Sequence, residues 1–177
     1  VTGCGSGICV DLSRNNTISD NIVTNNRQYG IYFDSSGKNT ISGNTVAHNR
    51  HCGIWLNQSD DNLVLGNTIA NNGETGIWLN FCSCDTVSNN KVINNSRGIW
   101  LCYSHNANLI RNEATENIDG LRVDHCSNLT FSADVAANNN YGITVESSDN
   151  NEIFHCTTKG NSHKGIWIHN SQNNDLE

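Results

Sequence analysis

The sequence predicts an all-β fold, a right-handed parallel β-helix of about eight coils of 22–23 residues, with three short strands per coil. Three observations carry this. The phrase Gly-Ile-Trp-Leu occurs at 53–56, 76–79 and 98–101, and as Gly-Ile-Trp-Ile at 165–168; looser copies begin at Gly7, Gly30, Gly120 and Gly142. The glycines therefore recur every 22 or 23 residues, the mark of a repeat architecture. Apolar residues keep fixed offsets from each glycine, and so do Asn and Ser.

With each glycine counted as position zero, positions 1 and 3 are apolar, as in Ile54 and Leu56 or Ile77 and Leu79. Position 2 lies between them and faces the other way, the period of a strand with one buried side. A second strand is marked by position 11: Ile18, Ile41, Val64, Val87, Leu109, Phe131, Ile153 and Leu176. A third is marked by position 16: Val23, Val46, Ile69, Val92, Ala114, Ala136 and Thr158. Turns rich in Asn, Ser, Asp and Gly separate them. One coil buries too few side chains to offset the entropy of ordering its backbone, so coils must stack on their neighbours. The handedness of parallel crossovers favours right-handed coiling.

The polar columns agree. Position 19 is Asn in Asn26, Asn49, Asn72, Asn95, Asn117, Asn139 and Asn161. Position 14 runs Asn21, Asn44, Asn67, Asn90, Asn112, Asp134, Cys156, and position 6 is Ser apart from Cys82 and Cys126. Asn tolerates left-handed backbone at tight corners, and its amide can bond the amide one coil away. These columns are expected to be corner ladders.

Composition sets outer limits. The 177 residues include no proline, are 36% hydrophobic and show no linker, so residues 1–177 read as a single domain. A net charge of −7 argues against a nucleic-acid partner or an anionic membrane surface. No apolar run approaches the ~18 residues of a membrane insertion segment. Both ends fall in mid-coil, which reads as a truncated piece whose exposed strand edges invite end-to-end self-association. Eight cysteines suit an oxidising compartment.

The repeat Asn-x-Ile-x-x-Asn-x-Val-x-x-Asn…Gly-Ile-x-Leu resembles that of the pectin-lyase-like superfamily of right-handed parallel β-helices. Within it the repeat is similar to the carbohydrate-binding and sugar-hydrolase subgroup, which includes the NosD-type periplasmic proteins. The resemblance implies an extracellular, periplasmic or cell-surface protein that binds or processes an extended polysaccharide along one parallel sheet. If catalytic, it would be a polysaccharide lyase or glycoside hydrolase. The superfamily also holds non-catalytic scaffolds, so the alternative is a structural module of a surface layer, fibre or adhesin stalk.

Two columns are candidates for function. Position 2 reads Cys9, Tyr32, Trp55, Trp78, Trp100, Arg122, Thr144, Trp167, and holds all four tryptophans. Tyr32, Trp55, Trp78, Trp100 and Trp167 are the carbohydrate-binding candidates. Coils lie ~4.8 Å apart, so the rings are equally expected to stack as a ladder or to pack laterally against another chain. The second candidate lies where the aromatic run breaks. Arg122 is followed by Asp124 and His125; Glu146 and His169 occupy Asp124's offset in the next coils, and Asp119, Tyr141 and Lys164 precede their glycines. Arg122, Asp124, His125, Glu146 and Lys164 are the catalytic candidates.

Carboxylates one coil apart, ~5 Å, match a retaining glycosidase pair. They could instead ligate Ca²⁺, or act with Arg122 and Lys164 in eliminating a uronate. The plain alternative is a solvated charged face. Alginate epimerases of the superfamily carry Asp-Pro-His-Asp, against Val123-Asp124-His125-Cys126 here. Asp11 and Asp34 form a further acidic pair without a basic neighbour. No metal site is expected, because histidines and cysteines fall at different offsets; a disulfide from Cys102 to Cys82, Cys84 or Cys126 is favoured over a metal cluster there.

Overall fold

The computed structural model describes residues 1–177, which form 23 strands and no helix. Every third strand is a neighbour, giving two parallel sheets of eight strands and one of seven. In the coil that starts at Gly76, the first sheet takes Thr75–Asn80, the second Thr86–Ser88 and the third Lys91–Ile93. Register follows the repeat: Ile77 lies between Ile54 and Ile99, and Leu79 between Leu56 and Leu101. The architecture is the right-handed parallel β-helix that the period predicts.

The core is a single cluster of 28 buried residues running along the axis. Each coil feeds it from all three sheets; Ile54, Leu56, Val64 and Ile69 are fully buried. The repeated glycine is required by closeness rather than by backbone angle. A Cβ on Gly53 would lie 2.5 Å from Ile69 Cγ2 and 2.7 Å from the Gly76 carbonyl oxygen.

The corners are amide ladders. Asn67 Oδ1 accepts from the backbone N–H and Nδ2 of Asn44, at 2.9 and 3.0 Å. Asn67 Nδ2 in turn donates to Ile41 O at 2.9 Å and to Asn90 Oδ1 at 3.0 Å. The ladder residues do not themselves adopt left-handed backbone, contrary to expectation. The residue before each one does: Asp20, Gly43, Gly66, Asn89 and Arg111 have positive φ and precede Asn21, Asn44, Asn67, Asn90 and Asn112. The left-handed residue turns the chain, and the turn aims the next side chain into the corner. A third Asn ladder stands at position 9, where Asn39 bonds Asn62 as Asn16 bonds Asn39.

Cys82 and Cys126 take the place of Ser in the position-6 column, as their offset implies. Ser104 Oγ accepts from the Cys82 N–H at 3.2 Å, and Ser148 Oγ accepts from the Cys126 N–H at 2.9 Å. The Cys102 disulfide that ranked above a metal cluster is absent: all eight cysteines are free. Cys82 and Cys126 are buried inside the solenoid and Cys84 sits exposed on a corner, whereas Cys102 lies on the outer face.

One irregularity shapes the outer surface. The turn from Asn72 to Gly76 spans four residues, but those from Asn95 to Gly98, Asn117 to Gly120 and Asn139 to Gly142 span three. Around these tighter turns the first-sheet strands grow from four residues, as in Ile54–Asn57, to six, as in Arg97–Cys102. The added length brings Thr75, Arg97, Asp119, Tyr141 and Lys164 into register as an extra column.

Replacing Asn67 by Ala should cost about 2–4 kcal/mol, because it strands buried backbone and amide groups in two adjacent coils. Chemical denaturation would measure this, with Thr68→Ala on the exposed strand face expected to stay within about 0.5 kcal/mol of the parent.

Candidate functional site

Rings at position 2 of the first sheet stack on the outer face. The Trp55 and Trp78 centroids are 4.9 Å apart with planes at 10°, and those of Trp78 and Trp100 are 4.8 Å apart at 7°. Tyr32 extends the column to Trp55 at 4.7 Å, tilted by 32°, and Tyr29 packs edge-on against Trp55 at 4.8 Å. Burial chiefly, helped by the charges of Asp34 and Asp11, pushes the Tyr32 hydroxyl up to about 12. Each stacked pair adds about 0.5–1.5 kcal/mol. The faces within the stack are occupied by one another, so it presents ring edges outward. Beside it runs an outward polar ladder, in which Asn57 Nδ2 donates to Asp34 and Asn80 Nδ2 to Asn57, at 2.8 and 2.9 Å.

The stack ends at Trp100, whose ring is capped by the Arg97 guanidinium 4.4 Å from its centroid. Trp100 Nε1 donates to Asp124 Oδ2 at 2.6 Å, which ties the aromatic column to the charged cluster. Arg122 grips Asp124 with two hydrogen bonds, Nε to Oδ2 at 2.9 Å and Nη2 to Oδ1 at 3.0 Å. The same Nη2 donates to Glu146 Oε2 at 2.5 Å. Asp119 Oδ2 lies 3.9 Å from Arg97 Nε and 3.8 Å from Arg122 Nη1, and His169 Nδ1 lies 3.8 Å from Glu146 Oε1. Burial works against the charge on Arg122, but its bonds to Asp124 and the charges of Asp124, Asp119 and Glu146 outweigh that and raise its pKa. Burial raises the pKa of Asp119, against the pull of Arg122 and Arg97.

Of the residues expected to act together, Arg122, Asp124 and Glu146 meet. His125 does not join them. It has positive φ at the corner and stacks on Tyr103 at 4.9 Å, continuing a column from Phe81, whose ring is 4.8 Å from Tyr103. Lys164 is placed over Trp167, its Nζ 4.1 Å from the ring centroid. Trp167 shares the column of the other tryptophans, but Arg122 and Thr144 separate it from Trp100. It packs instead with Tyr141 at 5.6 Å and His169 at 5.5 Å.

Arg97 and the close approach of Asp119 were not anticipated. Their signal in the sequence was the one-residue shortening of the turns before Gly98 and Gly120. Three polar atoms of the position-2 column are buried without a partner: Trp55 Nε1, Trp78 Nε1 and Thr144 Oγ1. The surface depressions lie elsewhere, at the two ends and at a corner around Arg14, Lys38 and Asp60. The first-sheet face is an open strip without a depression of its own.

The family model for the right-handed β-helix region matches residues 1–113, and that for the periplasmic copper-binding protein NosD matches residues 72–177. The chain belongs to the right-handed β-helix family. A search of curated protein sequences gave no match. Among solved structures, the periplasmic alginate epimerase AlgG superposes with a TM-score of 0.88 at 19% identity, over 99% of this chain and 49% of that one. The Dettilon tailspike protein gives 0.77 at 17% identity, over 94% and 42%. The A-module of an Azotobacter vinelandii mannuronan C-5 epimerase gives 0.70 at 14% identity, over 93% and 57%. This chain thus spans about half the length of AlgG, and likenesses at such identities concern the fold. No group of three or more His, Cys, Asp or Glu side chains is arranged to hold a metal ion, so the residues present do not fit the copper that the NosD description names.

Arg122→Ala would leave Asp119, Asp124 and Glu146 without their shared cation. Because the cluster is only partly buried, a loss of about 2–4 kcal/mol is expected, slightly below that of a fully buried pair. Arg122→Lys should lose less in thermal denaturation, keeping the charge but not the two-point grip on Asp124.

Proposed function

We propose that this β-helix binds an extended polysaccharide along the outer face of its first sheet and processes it at the Arg122 cluster. The observation that carries this is the junction itself. An aromatic strip from Tyr32 to Trp100 is joined through the Trp100–Asp124 hydrogen bond to a group of three carboxylates and two guanidinium ions. Aromatic edges and the Asn57–Asn80 amides offer contacts that repeat every coil, as sugar units repeat along a chain. Polysaccharide-active β-helices such as alginate epimerase share the fold, which supports the reading. The periplasmic description of both AlgG and NosD supports an extracellular or periplasmic setting.

Arg122 holds both Asp124 and Glu146, so a Ca²⁺ ion at that pair would have to displace it. A sugar carboxylate can draw a guanidinium away because it offers the same two-point acceptor geometry. Asp124 or Glu146 would then be free to take the proton next to that carboxyl, with Arg122 steadying the charge that develops. The electron pair left behind forms a C4=C5 double bond as the glycosidic C4–O bond breaks, and the departing oxygen takes a proton from the newly protonated acid or from water; this elimination is the chemistry of a polysaccharide lyase.

Incubation with uronate polymers should raise ultraviolet absorbance from the unsaturated product, and Arg122→Ala should abolish the rise. Trp100→Ala should weaken glycan affinity about tenfold in calorimetry, the equivalent of about 1.4 kcal/mol. No binding across a broad glycan panel would defeat the proposal. So would concentration-dependent association in light scattering that Trp78→Ala removes, because the aromatic strip would then be a scaffold interface.

A further inference from the structure

Two acids stand inside the amide ladders where the pattern calls for Asn. Asp85 occupies position 9 above Asn62, and Asp134 occupies position 14 above Asn112; both are fully buried. Asp85 Oδ1 accepts the Asn62 N–H at 2.7 Å. Asp134 Oδ1 accepts the N–H and Nδ2 of Asn112, at 2.7 and 2.9 Å. The second oxygen of each, Oδ2, is buried with no partner, and so is Asn62 Nδ2. No basic side chain pairs with either acid. Both acids end their runs of rungs: one coil on, the columns continue with Ala107 and Cys156.

A carboxylate that is buried, unpaired and half-satisfied is costly in its charged form, and such groups take up a proton instead. We propose that Asp85 and Asp134 are proton locks: in mildly acidic solution each stands in its ladder as a neutral carboxylic acid, and losing the proton as pH rises loosens the coils on either side.

The surroundings favour the neutral form. Asp85 faces Asp60 and Asp61 in the preceding coil, whose charges oppose a further negative one, and the buried Cys82 thiol in its own coil stays neutral and offers no positive charge. The coil above presents Ala107, and its nearest histidine, His105, is exposed and bonded to Ser127. Asp134 meets Asn112 below and the half-buried Cys156 thiol above, while Arg111 and His155 point to solvent from the adjoining corner positions.

Burial pushes Asp85 from 3.8 to about 8 and Asp134 from 3.8 to about 6. The folded value lies above the unfolded one, so the folded state binds the extra proton. The stabilisation is complete below pH 3.8 and is lost as pH rises, through about 6 for Asp134 and about 8 for Asp85. Within its window each group lowers the folding equilibrium constant about tenfold per pH unit.

The test is denaturation of the whole chain from about pH 5 to about pH 9, with Asp85→Asn, Asp134→Asn and the double variant beside the parent. Asn is the residue the ladders use elsewhere, so these variants are expected to fold. Asp85→Ala, matching Ala107 one coil on, is a second uncharged variant. The parent should lose stability across this range, and the double variant should be nearly flat. The infrared band of a buried protonated carboxyl should be present near neutral pH, fade above about pH 9, and be missing in Asp85→Asn. A double variant whose profile parallels the parent's would overturn the proposal, as would absence of the protonated band at about pH 5.

Discussion

Everything in this molecule depends on one constraint: each side chain meets its own equivalent in the next coil, ~4.8 Å away. Apolar residues satisfy it by packing, amides by bonding amide to amide, and flat rings by stacking. Charges of one sign do not satisfy it. Asp124 stands directly beside Glu146 in register, and the pair is tolerable because Arg122 reaches both. The extra column obeys the same rule by alternating sign, with Arg97 beside Asp119. The charged cluster is therefore a place where like-on-like stacking is given up and neutralised locally.

The aromatic strip and the cluster are coupled by that geometry. Trp100 is the last ring of the stack; one face meets Trp78, and the ring is also capped by Arg97, while its N–H is held by Asp124. Whatever draws Arg97 or Arg122 away from its present partners changes the environment of the terminal ring as well. The turns before Gly98, Gly120 and Gly142 are one residue shorter, and the six-residue strands that follow them place Arg97 and Asp119 in this group.

The same constraint makes the interior sensitive to single-atom changes in the ladders. An amide offers an acceptor to one coil and a donor to the next, so it can repeat without limit. A carboxyl offers acceptors only unless it carries a proton. Asp85 and Asp134 are near-copies of Asn in shape but interrupt the direction of the hydrogen bonds, and the orphaned oxygens mark where that interruption falls.

The sequence by itself determined the solenoid, its period, its buried positions, two of its three Asn columns and the outward facing of Trp55, Trp78 and Trp100. These follow from spacing along the chain, and spacing survives in a string of letters. It also marked Arg122, Asp124 and Glu146 as neighbours, because fixed offsets translate directly into adjacent coils. What only the tertiary structure decided were the directions set by local backbone. The left-handed corner turns His125 onto Tyr103 and away from Asp124. The tightened turns bring in Arg97 and Asp119, and Lys164 settles on Trp167 rather than on the acids. A repeat offset says which coil a residue joins and whether it faces in or out. The backbone angle at the corner and the length of the side chain decide whom it touches.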